Sequence, residues 1–582
     1  MGHSDFRANN ISPQAASFQK WRNLVRAIVL VCGFLQVCSA RFYIEPDGVN
    51  YLDIAREYLR HDWKHAINAY WSPLLSWLLA LAIRITGANS YWEIPLLHLL
   101  NFGIFCASLW CFEFFFKALI SKQRQNLDFE KRGTGISEWA WWLLGYTLFT
   151  YSSLFLTPVN LDTPDILVNA FVFAASGLVL RFGASASKWK APLLLGAVLG
   201  AAYLAKTVMF PLGFVFLVAA YISALRSALG RKQAIARALL AGAIFLAISL
   251  SWITALTSSE HRDTFGDSGR IAYWMYSHDV TSVFHWHGEF PDGGFPVHPI
   301  QKIFPRPAVD SFTDPIGGSY PPLYKPSYWY RGAEAHFSLK GQLAVFHQTL
   351  PVYFRIFSAE KELLAGFLVL LFFSANWRHY FRDLAHLLQV WAPSLAGMIL
   401  YSLVYMESRY VGGFIVVFWC CLFAAIRLRP QSISRRVTNA VILAICAVMA
   451  IGIARATVVY LIESFHPQPN TQWEVGAALN KMGLQQGDTV AVIGSSNVGN
   501  YWAHSGGIRI VSDIQADSIG PFWLASQDTK NLVYDAFRRT GARAIVTYTE
   551  PDPDVAAGWK KIGATGYSVY FLDPKFENGA SP

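Results

Sequence analysis

Long apolar runs recur along this chain and constrain it more than any motif does. Segments 24–41, 94–118, 139–157, 164–182, 190–206, 208–225, 238–256, 362–376, 387–405, 411–427 and 437–460 carry few charges. About 20 apolar residues in a helix cross the hydrocarbon of a bilayer, where only helices and closed barrels satisfy every backbone polar group. The spacing predicts a polytopic α-helical membrane protein with about eleven transmembrane helices. A content of 53 % hydrophobic against 15 % charged residues excludes an ordinary soluble domain. Run 73–86 stands apart: it is short, opens on Pro73 and contains Arg84, so it reads as an interfacial or re-entrant helix.

The net charge of +10 is not spread evenly. Lys20, Arg22 and Arg26 precede the first span. Further clusters are Lys122, Arg124, Lys131 and Arg132; Arg181, Lys188 and Lys190; Arg226, Arg231, Lys232 and Arg237; Arg378 and Arg382; and Arg427, Arg429, Arg435 and Arg436. If 73–86 does not cross, all of them fall on one side, which the positive-inside rule makes cytoplasmic. The expectation is a multi-pass protein of the cell (inner) membrane with a cytoplasmic N-terminus and a first span acting as a signal anchor. Regions 42–93, 257–361 and 463–582 then lie outside. Basic residues confined to short loops between spans argue against nucleic acid as a partner. The seven cysteines all fall in apolar segments, which predicts neither a disulfide framework nor a zinc cluster.

Residues 1–462 thus form the membrane module and 463–582 a separate extracytoplasmic α/β domain. In the latter, "DTVAVIG", "IRIVSDI", "RAIVTYT" and "YSVYFLD" read as strands, 528–540 and 555–562 as helices, and the sheet as mostly parallel. "GSSNVG" after the first strand has neither a following Lys-Ser/Thr nor the G-x-G-x-x-G spacing, so acceptor binding or docking is expected of this domain rather than nucleotide binding.

The outward regions carry charges that topology does not explain. In "EPDGVNYLDIAREYL", Tyr51, Ile54, Ala55, Tyr58 and Leu59 share one helical face and Asp53, Arg56, Glu57 and Arg60 the other, as in a helix lying on a membrane surface. Asp47 just ahead of it is either that helix's N-cap or a base at the membrane–water boundary. In "NLDTPDILVNAF", Asp162 suits a cap for the following span and Asp165 stands one residue inside it. Lys206 in "YLAKTVMFP" and Glu407, Arg409 and Tyr410 in "YMESRYVGG" lie at outer span ends; Lys206 alone reads equally as a snorkelling side chain. Acids beside cations at one outer boundary suit transfer from a lipid phosphate: the cations hold the phosphate, the tail lies between spans, and a carboxylate takes the acceptor's proton.

These residues resemble those of the membrane-embedded GT-C glycosyltransferases, in particular the protein O-mannosyltransferase and aminoarabinose transferase branch. That family has an acid, usually in an Asp–Glu pair, in its first outer loop ahead of a juxtamembrane helix; here Asp47 takes the acid's place and Gly48 stands where a second acid is common. A His-Pro-Pro-like segment is matched by Tyr70-Trp71-Ser72-Pro73, a second acid by Asp165 in "DTPD", and the family's Lys and Arg-Tyr positions by Lys206 and Arg409-Tyr410. The resemblance covers roughly residues 20–460. It implies a polyprenyl-phosphate sugar donor, single inverting displacement, Asp47 as base, Asp165 and Asp162 as further acids, and Lys206, Arg409, Tyr410, Glu407, Tyr70 and Trp71 around the substrate. A divalent metal on Asp47, Asp162 and Asp165 is compatible with it, His285 and His287 being a weaker metal pair. Trp274, Trp286, Tyr328, Trp329 and Tyr330 either stack on sugars or pack among themselves. A transporter or flippase for a lipid-linked sugar is the rival reading, and it calls for charges midway through spans rather than at their ends.

Overall fold

In the computed structural model, residues 13–125, 136–183, 189–227, 229–278, 296–312, 316–332, 334–374, 377–427, 432–494, 497, 499–548 and 557–573 are described. The apolar runs are helices. Four of them, Ala16–Ser39, Glu93–Gln123, Arg231–Glu260 and Arg435–Phe465, are long and apolar enough to cross a membrane. A fifth candidate is the pair Trp377–His386 and Leu388–Ser402, bent by 79°. Lys190–Ala205, Met209–Leu225 and Ser408–Ala424 are shorter apolar helices. Glu93–Gln125 packs along Asp165–Arg181, and the approach is close enough that a Cβ at Gly177 would stand 2.6 Å from the Phe114 ring. Without a hydrophobic drive inside a bilayer, such small-residue contacts hold helices together by packing.

Two ends of this bundle can be told apart by their contacts. At one, Arg26 pairs with Glu113, Arg181 donates to the Phe114 carbonyl, Arg237 to that of Phe182, Arg226 to that of Ala385, and Gln123 to that of Ala424. The described basic residues Arg26, Arg181, Arg226 and Arg237 therefore share an end. The helix Pro73–Thr86 has both of its flanks at the opposite end: Ser72 meets Thr207 and Ser90 accepts from Trp473 and Tyr501 of the C-terminal region. It enters and leaves on one side, as its length and Arg84 suggest.

Residues 339–361 were expected in the outer loop. Instead Leu339–Ala359 is a 21-residue helix running through Glu360 into Lys361–Phe372, which is shorter than the expected 362–376 span. Lys340, His347 and Arg355 hide this helix from a hydropathy window. Its apolar residues Leu339, Leu343, Leu350 and Phe354 nevertheless fall at helical spacing, and all are exposed on one face.

Outside the bundle lies a seven-stranded sheet. Its strands are β1 (Gln301–Phe304), β2 (Val309–Ser311), β3 (Thr489–Ile493), β4 (Arg509–Ile514), β5 (Ala544–Thr547), β6 (Trp559–Lys561) and β7 (Ser568–Phe571), in spatial order β1-β2-β4-β3-β5-β7-β6. Three expectations are corrected. Only β3–β4 and β3–β5 are parallel; the other four pairings are antiparallel, so the sheet is mixed. Residues 559–561 form an edge strand where 555–562 was read as a helix. The sheet also extends beyond the tail: β1 and β2 come from the large loop, with Asp310 opposite Asp513. Strand alternation sends Val490, Val492, Ile510 and Val546 to the face covered by Trp274, Tyr320 and Trp329, while Ala491, Ile493, Val511 and Ile545 meet Phe522, Val533 and Phe537 on the other. The loop's aromatics thus join tail residues such as Leu479 and Trp502 in the core on one face of the sheet.

Candidate active site

The helix Pro46–Leu59 begins with Pro46 at its first position, where the missing N–H costs nothing, and Asp47 follows in the first turn. Asp47 caps no backbone group. The N-cap residue is Glu45, and its N–H is taken by Asp162 Oδ2 at 2.8 Å. Asp162 does not cap the helix Asp165–Arg181 either, whose N-cap is Pro164. Its side chain is fully buried, with Oδ1 3.6 Å from His98 Nδ1, and burial lifts its carboxyl well above the usual carboxylate range. Gly48 lies on top of it: a Cβ there would stand 2.5 Å from Asp162 Cβ. The missing second acid at position 48 therefore has a steric cause.

Asp47, Asp165, Lys206 and Arg409, which lie far apart in sequence, converge. Arg409 is in the first turn of Ser408–Ala424. Its Nη2 donates to Asp47 Oδ2 at 3.1 Å, its Nε to Glu407, and its Nη1 lies 3.9 Å from Asp165 Oδ2. Asp165 also accepts from Thr163 Oγ1 at 2.6 Å and from Lys206 Nζ. Lys206 ends the helix Lys190–Ala205 with extended backbone, and its ammonium stands 3.7 Å over the Tyr410 ring. Tyr410 stacks on Tyr401, and Tyr405 donates to Glu407 at 2.6 Å. Burial pushes the Asp47 carboxyl upward against the pull of Arg409. Arg409 Nη1 is buried and makes no hydrogen bond among the described residues.

These groups line a cavity of about 720 Å³. Tyr70 and Trp71 form part of its wall, held because Asn68 Oδ1 accepts both of their N–H groups, at 2.8 and 3.0 Å, and Trp71 Nε1 donates to the Leu323 carbonyl. The segment Arg262 to Arg270, not anticipated from the sequence, lines the cavity beside Tyr70 and Ser72. This segment is drawn in by the Asp267 N–H on the Ala69 carbonyl at 2.6 Å and by Gly266 against Thr207. Arg262 and Arg270 both pair with Asp267. In the sequence it belongs to "EHRDTFGDSGR", a charged stretch at the outer end of a span.

Asp162 does not line the cavity, so the expected acid triad is not assembled: its Oδ2 serves the Glu45 N–H while Asp47 and Asp165 face Arg409. As arranged, these three do not fit a shared cation, and among the described residues no group of three His, Cys, Asp or Glu is placed to hold a metal. His285, Trp286 and His287 lie outside the described residues. Trp274 and Trp329 are buried in the sheet's core, Tyr328 stacks on His298, and Tyr330 reaches the cavity wall.

No family model matches the chain, and no curated protein matches it. Solved structures do. The oligosaccharyltransferase of Archaeoglobus fulgidus in its apo form aligns at 14 % identity and TM-score 0.48 over 91 % of this chain and 69 % of its own. The same archaeal enzyme, AglB, with an inhibitory peptide and a dolichol-phosphate gives 13 % and 0.46 over 91 % and 70 %. ArnT from Cupriavidus metallidurans bound to undecaprenyl phosphate gives 13 % and 0.41 over 97 % and 99 %. At TM-scores below 0.5 and 13–14 % identity, no residue role is carried over from these neighbours.

Proposed function

We propose that the chain is a membrane glycosyltransferase that moves a sugar from a polyprenyl-phosphate donor to an acceptor hydroxyl with inversion, Asp47 acting as base. One observation carries the reading: Asp47 and Asp165 share the Arg409 guanidinium beside Lys206, on the wall of a single cavity at one end of an apolar bundle. A base is useful only when its proton donor and its electrophile sit within reach, and this arrangement puts carboxylate and cations on one small volume.

In the step, the acceptor oxygen forms a bond to the sugar's anomeric carbon while its proton passes to an Asp47 oxygen. The bond from that carbon to the phosphate oxygen breaks, and its electron pair leaves with the polyprenyl phosphate. Positive charge develops on the sugar ring and negative charge on the phosphate. Arg409 is suited to the latter because its Nη1 is a buried donor not yet hydrogen-bonded. Lys206, Arg262 and Arg270 add positive charge around the same volume. Asp165 orients Lys206 and Arg409 rather than meeting the acceptor. Tyr70 and Trp71 shape the sugar's place, and Asp162 supports the helix of Asp47 from behind. No step is assigned to a metal, since the acids are not arranged to share one.

The basic end of the bundle faces the cytoplasm on this reading, so the reaction occurs at the outer face of the inner membrane. A transporter for the same lipid finds less support, because Asp47, Asp165, Lys206 and Arg409 stand at helix ends and not midway through spans. The test is release of radiolabelled sugar from undecaprenyl-phosphate mannose, glucose or arabinose by the wild type and by Asp47→Asn. Turnover of one donor by the wild type and its loss in Asp47→Asn is expected; equal turnover in both removes Asp47 from this role.

A further inference from the structure

The helix that carries Asp47 is gripped a second time, well away from the cavity. Asp53 and Arg56, about 9 and 13 Å further along its axis, were expected on a solvent-facing side. They are instead covered by the C-terminal domain, and Asp53 is buried. His504, in the short helix Tyr501–Gly506, stands between two carboxylates: Nδ1 is 2.6 Å from Asp53 Oδ1 and Nε2 is 2.9 Å from Glu93 Oε2. Asp53 also accepts from the Ser319 N–H at 2.7 Å and its hydroxyl at 2.9 Å, so the large loop joins the same group. Arg56 holds Glu93 with two hydrogen bonds, at 3.1 and 2.9 Å, and donates to the His504 carbonyl at 2.6 Å.

An ionised carboxylate only accepts, so both ring nitrogens of His504 must donate, which requires the imidazolium. With Asp53 and Glu93 ionised and Arg56 charged, the four groups sum to zero. Such a buried network is stable only when every member is satisfied.

We propose that His504 is a positioning residue for the transfer reaction: it clamps the Asp47 helix between the long helix Glu93–Gln125 of the bundle, through Glu93, and the C-terminal domain. This rests on the reading of Asp47 as the base. The C-terminal domain, whose role the sequence left open, becomes part of the active site's scaffold. A rigid helix transmits a shift at Asp53 to Asp47, and displacements on the order of 1 Å at a reacting group cost about a hundredfold in rate.

The groups facing the imidazole are Asp53 and Arg56 from the Asp47 helix, Glu93 from the bundle and Tyr501 from its own helix; Glu57, Arg60 and Arg509 line the small cavity beside it. Burial and Arg56 disfavour its charge, Glu93 and Asp53 outweigh them, and its pKa lies above the ordinary histidine value. A folded-state pKa raised in this way contributes stability that is full below the unfolded value and is lost as pH rises through the raised one. The clamp therefore loosens on the alkaline side.

The test compares wild type, His504→Gln and Asp53→Asn as full-length protein in detergent, by turnover of the undecaprenyl-phosphate sugars and by hydrogen–deuterium exchange of peptides spanning 46–59. Both variants are expected to lower kcat about tenfold or more with KM within about twofold, to shift the alkaline limb of the rate profile, and to speed exchange in 46–59 but not in 165–181. In the wild type, exchange in 46–59, corrected for its intrinsic pH dependence, is expected to rise on the alkaline side; this arm stands even if a variant fails to fold. Unchanged exchange, or faster exchange with wild-type kcat and pH profile, overturns the proposal. If the wild type turns over none of the donors, that failure belongs to the glycosyl-transfer reading, and the exchange comparison alone decides the clamp.

Discussion

Arg409 is the residue on which the site balances, because it touches Asp47, Asp165 and Glu407 at once. Its removal affects both partners of the reaction. Arg409→Gln is expected to lower kcat/KM about a hundredfold or more, since one charged donor to the leaving phosphate is lost. It should also move the acid limb of the pH–rate profile upward: burial already raises the Asp47 carboxyl, and the cation opposing that rise is gone. An acid limb that stays in place, read from kcat/KM against pH, contradicts the Asp47–Arg409 coupling. Gly48 tests the packing next to it. Gly48→Ala forces a methyl onto Asp162, and overpacking of this kind costs about 1–3 kcal/mol, visible as a lower thermal midpoint together with lost activity. At this scale much of the site could be read from the sequence, because charged residues at outer span ends have few purposes. Asp162 was misplaced since its partner, the Glu45 N–H, is a backbone group more than a hundred positions earlier. Arg262 and Arg270 were not legible as site residues, because the charged stretch "EHRDTFGDSGR" does not by itself show which of its charges turn into a cavity.

Single elements show where periodicity sufficed and where it misled. The helix Pro46–Leu59 was evident from its apolar face, yet Asp53 on its polar face is buried by protein and Arg56 is half-buried, a tertiary event that a 3.6-residue pattern cannot report. Leu339–Ala359 was lost for the opposite reason: its helical period was present, but the average polarity was read instead. The start of Pro46–Leu59 offers a test. Asp162→Ala leaves the Glu45 N–H without its acceptor and is expected to cost about 1–3 kcal/mol of stability. Asp162→Asn keeps an acceptor oxygen, and because the side chain does not face the cavity, turnover should stay within a few fold of wild type. A complete loss of turnover in Asp162→Asn at normal thermal midpoint would return Asp162 to the catalytic set.

At the scale of the molecule, the bundle, the large loop and the tail fold as partners and not as a membrane module with an appended domain. β2 from the loop pairs with β4 from the tail, and Trp274 and Trp329 fill one side of the tail's sheet. A chain ending at residue 462 is expected to fail as a monodisperse species in size-exclusion chromatography, because Asp53 and Glu93 lose His504 and the loop aromatics lose their sheet. A well-behaved truncated chain would show the tail to be dispensable. This interdependence was not legible: β1 and β2 are four and three residues long, and a short strand announces its partner only in three dimensions. The membrane class and the shared basic end were legible, because bilayer thickness and charge bias act on the sequence directly.

On the proposed reading, the cavity bounded by Asp47, Asp165, Lys206 and Arg409 transfers sugar from a polyprenyl phosphate. The most direct measurement is single-turnover release of radiolabelled sugar from undecaprenyl-phosphate mannose, glucose or arabinose in the presence of membrane extract as acceptor, with wild type and Asp47→Asn side by side. Transfer from one donor by the wild type is expected, with a fall of about a hundredfold or more in Asp47→Asn at a thermal midpoint near that of wild type. Equal transfer by both proteins would contradict it.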